Sequence, residues 1–218
     1  MKIYELFLSE NFQWNNREKK LLQFVSNERQ KTISSYRFIP DQLRSLYGAL
    51  LVKMGIYYHS GIPPGTQKFE HLFMIKPRLL NSGVNAAFSL SHSGTCVVCG
   101  ISDFQIGVDT EQIILPFPKE ILSCFSPDER AECESGTEME QADAFYRIWT
   151  RKEAYGKWNG MGLNQAFSAI DIYKEGYQTW SDHSHMISVY SDSNETAEIH
   201  RLTADDLADF YSGFISNT

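Results

Sequence analysis

The first half of the chain alternates between short apolar stretches and longer amphipathic segments. Residues 2–8 predict a strand, and residues 14–36 place charged side chains around isolated apolar ones, which favours helices. Pro40 and Asp41 form a helix-start signal, after which apolar side chains recur at helical spacing from Leu43 to Met54. The two prolines within residues 61–65 predict a loop after this helix.

From Phe88 onward the apolar period becomes that of strands. Residues 88–91 alternate, residues 95–101 form a continuous apolar run, and residues 105–111 alternate again after a turn at residues 102–104. We therefore expect the second and third of these strands to pair as a hairpin.

The second half of the chain predicts helices followed by strands. Ser126 as cap, Pro127 at the first position and Glu129 as the closing residue of a capping box predict a helix start. Residues 141–158 predict a second helix that ends at Gly160, and strands recur near residues 169–173 and 186–190. Because both halves hold strands and helices, the pattern predicts an α+β chain of two similar lobes.

Composition and charge exclude several classes of protein. The 218 residues lie between one domain and two, and the hydrophobic fraction of 42% is enough for a real core. A formal net charge of -7 argues against general nucleic-acid binding, although it leaves room for a local basic pocket. Since no apolar run has the length of a signal peptide or a membrane span, we expect a cytoplasmic protein that binds neither nucleic acid nor membrane.

Four cysteines include a C-x-x-C pair, Cys96 and Cys99, which raises the alternatives of zinc or redox chemistry. The intervening valines favour a strand, in which positions i and i+3 point to opposite faces. No second C-x-x-C completes a zinc site, so core cysteines are the favoured interpretation.

The stretch QIGVDTEQ places two carboxylates on one face of a predicted strand. Ile106 and Val108 face the core, whereas Gly107, Asp109 and Glu111 face the other way. Like charges at this spacing repel each other, and Mg²⁺ or Mn²⁺ between oxygen ligands relieves the repulsion. Gly107 leaves room for a ligand on that face. The alternative is an exposed strand with two solvated acids.

A third carboxylate lies on the predicted helix of residues 141–158. Phe145, Trp149, Glu153 and Lys157 follow one another at i, i+4 and so form one stripe that begins apolar and ends charged. Glu153 then faces a cleft or a partner charge, because isolated burial of a carboxylate is costly. The alternative is an ordinary surface pair between Glu153 and Lys157.

Further polar candidates lie in the first half. In SLSHSGT, hydroxyls, an imidazole and turn amides at a strand end are suited to a phosphate, with an exposed hairpin turn as the alternative. Five basic residues of the first half are either phosphate ligands or only solvated surface groups: Arg29, Lys31, Arg37, Arg44 and Lys76. His183 and His185 receive no role.

Three motifs together resemble one family. FSLSHSG, IGVDTE and WTRKEAYGK, in this order, are similar to the 4'-phosphopantetheinyl transferases, and the larger surfactin-synthetase type is the best match. The resemblance extends from the N-terminal MKIY to at least Leu163. It implies Mg²⁺-dependent transfer of the phosphopantetheine arm of coenzyme A to a serine of an apo peptidyl or acyl carrier protein, which gives the holo carrier and 3',5'-ADP.

The resemblance also implies roles for the candidate acids and bases. Asp109, Glu111 and Glu153 would hold Mg²⁺, with Mn²⁺ as an alternative, against the diphosphate. Glu153 would also be the base for the carrier serine, directly or through water. Lys157 would contact coenzyme A and stabilise charge on the phosphate in flight, and His92 completes the implied catalytic set.

Recognition of coenzyme A is implied for residues of the first half. Ser91 and His92 would contact its phosphates, with Arg44 and Lys76 near its 3'-phosphate and adenine end. Many relatives have Gly before the Lys-Pro pair, whereas Ile75 stands here, which leaves the contact of Lys76 open. Arg29 and Lys31 do not align uniquely.

Length and family together imply an architecture. Smaller relatives build their sites between subunits, so this chain resembles a fusion of two such halves: a pseudo-twofold monomer in which each lobe is a small antiparallel sheet with packed helices. The lobes would be residues 1–103 and 104–218, with the active site in the cleft between them. Carriers would dock on an apolar patch within the segment 115–125, although a core-facing helix is the alternative there.

Two rival functions use the same residues. One is a hydrolase that splits coenzyme A without a carrier. The other is a degenerate member that only binds coenzyme A or carriers, against which the intact acids and Lys157 argue.

Overall fold

The computed structural model describes residues 1–70, 77–81, 83–160 and 167–215. The helices are α1 (Asn16–Leu21), α2 (Asn27–Ser35), α3 (Ile39–Ser60), α4 (Pro127–Cys133), α5 (Glu138–Asn159) and α6 (Ala204–Ser212). The strands are β1 (Lys2–Phe7), β2 (Phe69–Glu70), β3 (Arg78–Leu79), β4 (Ala87–Ser93), β5 (Cys96–Ser102), β6 (Gly107–Gln112), β7 (Tyr177–Asp182), β8 (His185–Tyr190) and β9 (Glu198–Leu202).

Two sheets organise these strands. The first sheet has the order β4-β5-β1-β9, antiparallel except for the parallel pair of β1 and β9. The second sheet has the antiparallel order β6-β8-β7, and β2 and β3 form a separate short ladder. Helix α3 packs on the first sheet and α5 on the second. The α+β prediction is confirmed.

Capping residues set the ends of the long helices. Pro40 lies in the first turn of α3, and Gly61 ends it with φ of 75°. The predicted capping box of Ser126 and Glu129 starts α4. Helix α5 begins three residues earlier than predicted, at Glu138, because Thr137 and Glu140 form a capping box of their own.

Among the described residues, three buried clusters hold the molecule together. The first lies between α3 and the first sheet, and the second lies between α5 and residues 117–133. The third lies between the two sheets, so that it joins the halves of the chain; it consists of Ile3, Cys96, Val98, Ile106, Val108, Ile187 and Val189. The predicted inward orientation of Ile106 and Val108 is therefore confirmed.

The predicted hairpin between the strands of residues 95–101 and 105–111 is wrong. Strand β5 pairs with β4 on one edge and with β1 on the other, whereas β6 pairs with β8. A strand has two hydrogen-bonding edges, and both edges of β5 are occupied by partners in its own sheet.

The strand predicted near residues 169–173 is also wrong. A short 3-10 helix covers Phe167–Ala169, and the Asp171 carboxylate accepts a hydrogen bond from the backbone N–H of Tyr173 at 2.9 Å. The period-2 pattern arose because Ile170 and Ile172 are both buried. The local side-chain bond of Asp171 competes with an extended backbone.

The last elements of the chain return to the first sheet. Strand β9 pairs with β1, and Leu207 and Tyr211 of α6 lie in the first buried cluster. The Tyr211 hydroxyl donates to the backbone oxygen of Leu50 at 2.7 Å. Residues 198–212 thus pack on the first sheet, although the division near residue 103 assigns them to the second lobe.

The C-x-x-C pair lies in a core strand. Cys96 belongs to the cluster between the sheets, and Cys99 belongs to the cluster under α3, so their side chains face opposite sides of β5. The interpretation as core cysteines is confirmed for this pair. Within the described ranges, no helix combines the length and apolar character needed to cross a membrane.

Close packing of α5 on β6 requires Gly107. A Cβ atom at this position would collide with the backbone oxygen of Ala154 and would lie 2.6 Å from the backbone nitrogen of Trp158. The space beside Gly107 is therefore filled by helix backbone, and the prediction that this glycine leaves room for a ligand is wrong.

We expect Gly107→Ala to destabilise the protein by about 3 kcal/mol, because backbone atoms cannot move aside as a flexible side chain does. The free energy of unfolding from urea titration measures this loss. Gly65→Ala is the matched control, since an added Cβ there meets nothing within 4 Å among the described residues. Equal midpoints for the two variants would contradict the packing interpretation.

Candidate active site

Strand β4 faces β6 across the seam between the two sheets, and side-chain hydroxyls join the two strands. Ser91 Oγ donates to Asp109 Oδ1 at 2.8 Å, and Ser93 Oγ donates to Glu111 Oε2 at 2.7 Å. Ser89 Oγ instead accepts a hydrogen bond from a backbone N–H of β6. Alternate serines of one strand thus contact both candidate acids of the other.

Asp109 is the most deeply buried of the candidate acids. Its residue exposure is 3%, and its Oδ1 accepts hydrogen bonds from Ser91 and from Lys157 Nζ, the latter at 2.7 Å. Its Oδ2 is buried and has no hydrogen-bond partner in the described part of the chain. A buried carboxylate oxygen without a partner is costly, so this atom is suited to a cation.

Glu111 lies half-buried two residues further along β6. Burial and the neighbouring Asp109 raise the pKa of its carboxyl, whereas hydrogen bonds from Ser93 and Trp149 lower it. Burial is the larger cause, and the repulsion between the two carboxylates that the sequence predicts adds to it.

The stripe on α5 explains the position of Glu153. Phe145 is buried, and Trp149 stacks on Phe167 with ring centroids 5.4 Å apart. One turn later, burial, followed by repulsion from the β6 carboxylates, raises the pKa of Glu153 to about 7. Lys157 acts in the opposite direction. The structure therefore brings the three predicted carboxylates into one electrostatic cluster, and the solvated-strand and surface-pair alternatives do not describe it.

The side chain of Lys157 extends from α5 and contacts both β4 and β6. Its Nζ donates to Ser91 Oγ and to Asp109 Oδ1, both at 2.7 Å. The ammonium is partly exposed, while Asp109 is buried. A cation held at the mouth of an acidic cluster is available to an incoming anion.

Arg44 and His92 lie beside the turn between β4 and β5, which contains Gly94. Arg44 donates to the backbone oxygen of Gly94 at 2.7 Å and to Asp41 at 2.6 Å. His92 is an exposed residue of β4, and partial desolvation, then repulsion from Arg44 and Lys157, lowers the pKa of its imidazole. The neutral form is therefore favoured, which is the form that accepts a proton or donates a neutral hydrogen bond.

Other predicted residues lie elsewhere. Lys76 falls outside the described residues. Lys31 and Arg37 are exposed, and Arg37 contacts the ring of Phe38 rather than an acid. His185 received no role from the sequence, yet it is 1% exposed and contacts the backbone of Ser93.

The predicted apolar patch in residues 115–125 is largely core. Phe117, Leu122 and Phe125 are buried in the cluster under α5, so the core-facing alternative holds for them and the docking surface does not. Their aromatic and aliphatic side chains fill the space against Phe145. Leu115 remains exposed, at 44%.

Sequence reasoning assigned the hydroxyls of SLSHSGT to a phosphate and missed their hydrogen bonds to the acids, including that of Ser93 to Glu111. The signal was present, because serines at 89, 91 and 93 share one face of a strand. Only the facing strand shows that this face meets two acids.

The donor set fits a divalent cation, although the side chains are not arranged as a finished metal site. Across the described ranges, no group of three or more His, Cys, Asp or Glu side chains is placed to hold a metal ion. Lys157 contacts Oδ1 of Asp109, which leaves Oδ2 as the oxygen available to a cation. The buried, unpartnered Oδ2 within the described residues and the raised pKa values of Glu111 and Glu153 nevertheless indicate uncompensated negative charge.

Comparison with known proteins agrees with this arrangement. Residues 12–102 match the family model described as 4'-phosphopantetheinyl transferase, N-terminal, and residues 105–209 match that of the 4'-phosphopantetheinyl transferase superfamily. The 4'-phosphopantetheinyl transferase psf-1 of Bacillus pumilus is 31% identical over 173 residues, which cover 78% of this chain and 73% of the relative. The 4'-phosphopantetheinyl transferase Sfp of Bacillus subtilis (strain 168) is 28% identical, with 79% and 76% covered.

The chain therefore belongs to the 4'-phosphopantetheinyl transferase superfamily, in its larger surfactin-synthetase type. The resemblance carried by the three sequence motifs is confirmed.

The raised pKa of Glu153 predicts a pH-dependent loss of stability in the metal-free protein. A folded-state pKa of about 7 against an ordinary value of 4.5 stabilises the fold fully below pH 4.5, and this contribution is lost as the pH rises through about 7. Glu153→Gln cannot ionise, so we expect it to gain about 1–3 kcal/mol relative to wild type between pH 5 and pH 8.

Urea unfolding in EDTA at both pH values measures this difference. Glu28→Gln, an exposed change on α2, should follow wild type at both. If Glu153→Gln also follows wild type, the carboxylate cluster is not under the repulsion described here.

Proposed function

We propose that this protein transfers the 4'-phosphopantetheine arm of coenzyme A to a serine hydroxyl of an apo peptidyl or acyl carrier protein. The products are the holo carrier and 3',5'-ADP. The observation that carries the proposal is the seam, where Asp109, Glu111 and Glu153 meet the Lys157 ammonium. An anionic diphosphate and its counter-cation are the ligands that this mixture of charges suits.

The reaction forms one bond and breaks another. The serine oxygen bonds to the β-phosphorus of coenzyme A, and the phosphorus–oxygen bond of the diphosphate breaks, so that its electron pair leaves with 3',5'-ADP. The serine proton needs an acceptor. Glu153 is the proposed acceptor, directly or through a water.

Asp109, Glu111 and Glu153 are the residues proposed to hold Mg²⁺, or Mn²⁺, which share a preference for oxygen ligands. When bound, such an ion neutralises the diphosphate and stabilises the leaving oxygen. Asp109 Oδ2 is the natural first ligand, because it is buried and lacks a partner among the described residues.

The cations of the cleft would bind the phosphates of coenzyme A. Lys157 contacts both Ser91 and Asp109. A small movement of its flexible side chain would bring its ammonium into contact with a phosphate. Ser91 and His92 border the same cleft, and Arg44 holds the turn beside them through Gly94. Lys76 retains the same proposed role, toward the 3'-phosphate and adenine end.

The carrier would dock beside β6. Ile114 and Leu115 are exposed at 55% and 44% and follow the strand that bears Glu111 by only a few residues. An apolar contact there would bring a carrier serine close to the acids.

Both faces of the proposed site come from a single chain, which supports a monomer. Ser91 lies on β4 and Lys157 on α5, on either side of the division proposed near residue 103. The two family matches, which end at residue 102 and resume at residue 105, support that division. Location in the cytoplasm stays a prediction from the sequence.

Intact-mass spectrometry of an apo peptidyl carrier protein tests the proposal. We expect a gain of one phosphopantetheine with coenzyme A and Mg²⁺, no gain with EDTA, and turnover reduced about 100-fold or more in Asp109→Asn. Asp103→Asn, an exposed change of the same kind, should retain full turnover.

A reaction without carrier, assayed for 3',5'-ADP, separates the rivals. Release of 3',5'-ADP without carrier would replace the transferase by a hydrolase. No mass gain on peptidyl and acyl carriers, without 3',5'-ADP release, would leave a binding protein.

Lys157→Ala should reduce kcat about 100-fold while changing the KM for coenzyme A less than about threefold, because charge on the transferred phosphate develops in the transition state. Steady-state kinetics with the carrier at saturation measure both constants. An increase in KM at unchanged kcat would instead assign Lys157 to ground-state binding.

A further inference from the structure

We propose that Ser93 is a positioning residue whose hydroxyl orients the Glu111 carboxylate for cation binding across the seam. The inference rests on the proposed function, since it assigns a role to a residue beside the same acids. The motif SLSHSGT associates this hydroxyl with a phosphate and not with Glu111.

The hydrogen-bond pattern of Ser93 fixes the direction of its proton. The backbone N–H of Gln112 donates to Ser93 Oγ at 3.1 Å, so the hydroxyl oxygen is the acceptor in that bond. Its own proton is then available for Glu111 Oε2, 2.7 Å away. One hydroxyl therefore connects the strand backbone and the carboxylate of adjacent residues on β6.

His185 and Arg44 contact the backbone of the turn that carries Ser93. The ring of His185, which is buried, contacts the backbone oxygen of Ser93 through Nε2 at 3.1 Å and that of His183 through Nδ1 at 2.8 Å. Arg44 donates to the next backbone oxygen, that of Gly94, at 2.7 Å. The turn that carries Ser93 is thus fixed by a strand of the second sheet and a helix of the first half.

Glu111 has particular need of such a partner. It is half-buried, carries three side-chain torsions, and lies next to the like charge of Asp109, which favours its turning away into solvent. A hydrogen bond from a fixed hydroxyl keeps Oε2 in place, beside the hydrogen bond that the carboxylate receives from Trp149. Outer partners of this kind typically change metal affinity by about 10- to 100-fold when removed.

The chain supplies a matched control on the same strand. Ser89 lies on the same face of β4 four residues before Ser93, and its exposure is only 4%. Its hydroxyl accepts from the backbone N–H of Val108 at 3.0 Å and, within the described residues, forms no hydrogen bond to an acid. Loss of this hydroxyl removes a seam contact without altering Glu111.

The experiment compares Ser93→Ala, Ser93→Thr and Ser89→Ala with wild type. Mn²⁺ binding is measured by the loss of the free-ion electron paramagnetic resonance signal, and thermal unfolding is recorded for each variant. We expect Ser93→Ala to weaken Mn²⁺ binding about 10-fold, Ser93→Thr to restore it, and Ser89→Ala to bind as wild type does despite a lower Tm.

The Mg²⁺ dependence of carrier modification provides a second readout. Ser93→Ala should raise the Mg²⁺ concentration for half-maximal rate about 10-fold, with kcat at saturating Mg²⁺ within about threefold of wild type. A general loss of structure would instead lower kcat in proportion to the folded fraction.

Three outcomes overturn the inference. Ser93→Ala binds Mn²⁺ as tightly as wild type, or Ser89→Ala weakens binding to the same extent, or wild type binds no Mn²⁺ with or without coenzyme A. Failure of the proposed function gives a different result from failure of this inference. A wild-type protein that binds Mn²⁺ but adds nothing to any carrier refutes transfer, and the comparison of Mn²⁺ binding among the serine variants still tests the inference.

Discussion

The site depends on the balance between a cluster of carboxylates and the Lys157 ammonium. Burial and mutual repulsion destabilise the ionised acids, as the raised pKa values of Glu111 and Glu153 show. Lys157 offsets part of this cost through its ion pair with Asp109. The fold retains negative charge that its own groups do not fully neutralise, and the proposed binding of a cation rests on this surplus.

Holding these groups together requires the two sheets to meet. The buried cluster between the sheets fixes β4 opposite β6, so that serines of one strand reach acids of the other. Gly107 lets the backbone of α5 lie directly on β6, which places Glu153 and Lys157 above the same strand. The return of β9 to pair with β1 ties the end of the chain to its beginning and closes the arrangement.

The elements around the seam each supply a different kind of chemical group. Strand β4 supplies hydroxyls that hold carboxylates, β6 supplies the buried Asp109 and the half-buried Glu111, and α5 supplies the proposed base and the ammonium. Because Glu153 has a pKa of about 7 while Asp109 receives hydrogen bonds from Ser91 and Lys157, the two carboxylates are suited to different tasks. Membership of the superfamily agrees with such a division, which serves phosphoryl transfer by positioning and charge neutralisation.

The amino-acid sequence by itself determined the chemical groups, the helices with strong caps, and the face each acid takes within its own strand or helix, since these follow from local spacing. It also predicted the stripe that turns Glu153 inward. The tertiary structure alone decided that β5 pairs with β1 rather than β6, that Phe117 and Phe125 are core, and that Ser93 meets Glu111. These outcomes depend on contacts between residues far apart in sequence, and a local period carries no information about which distant surface will cover it.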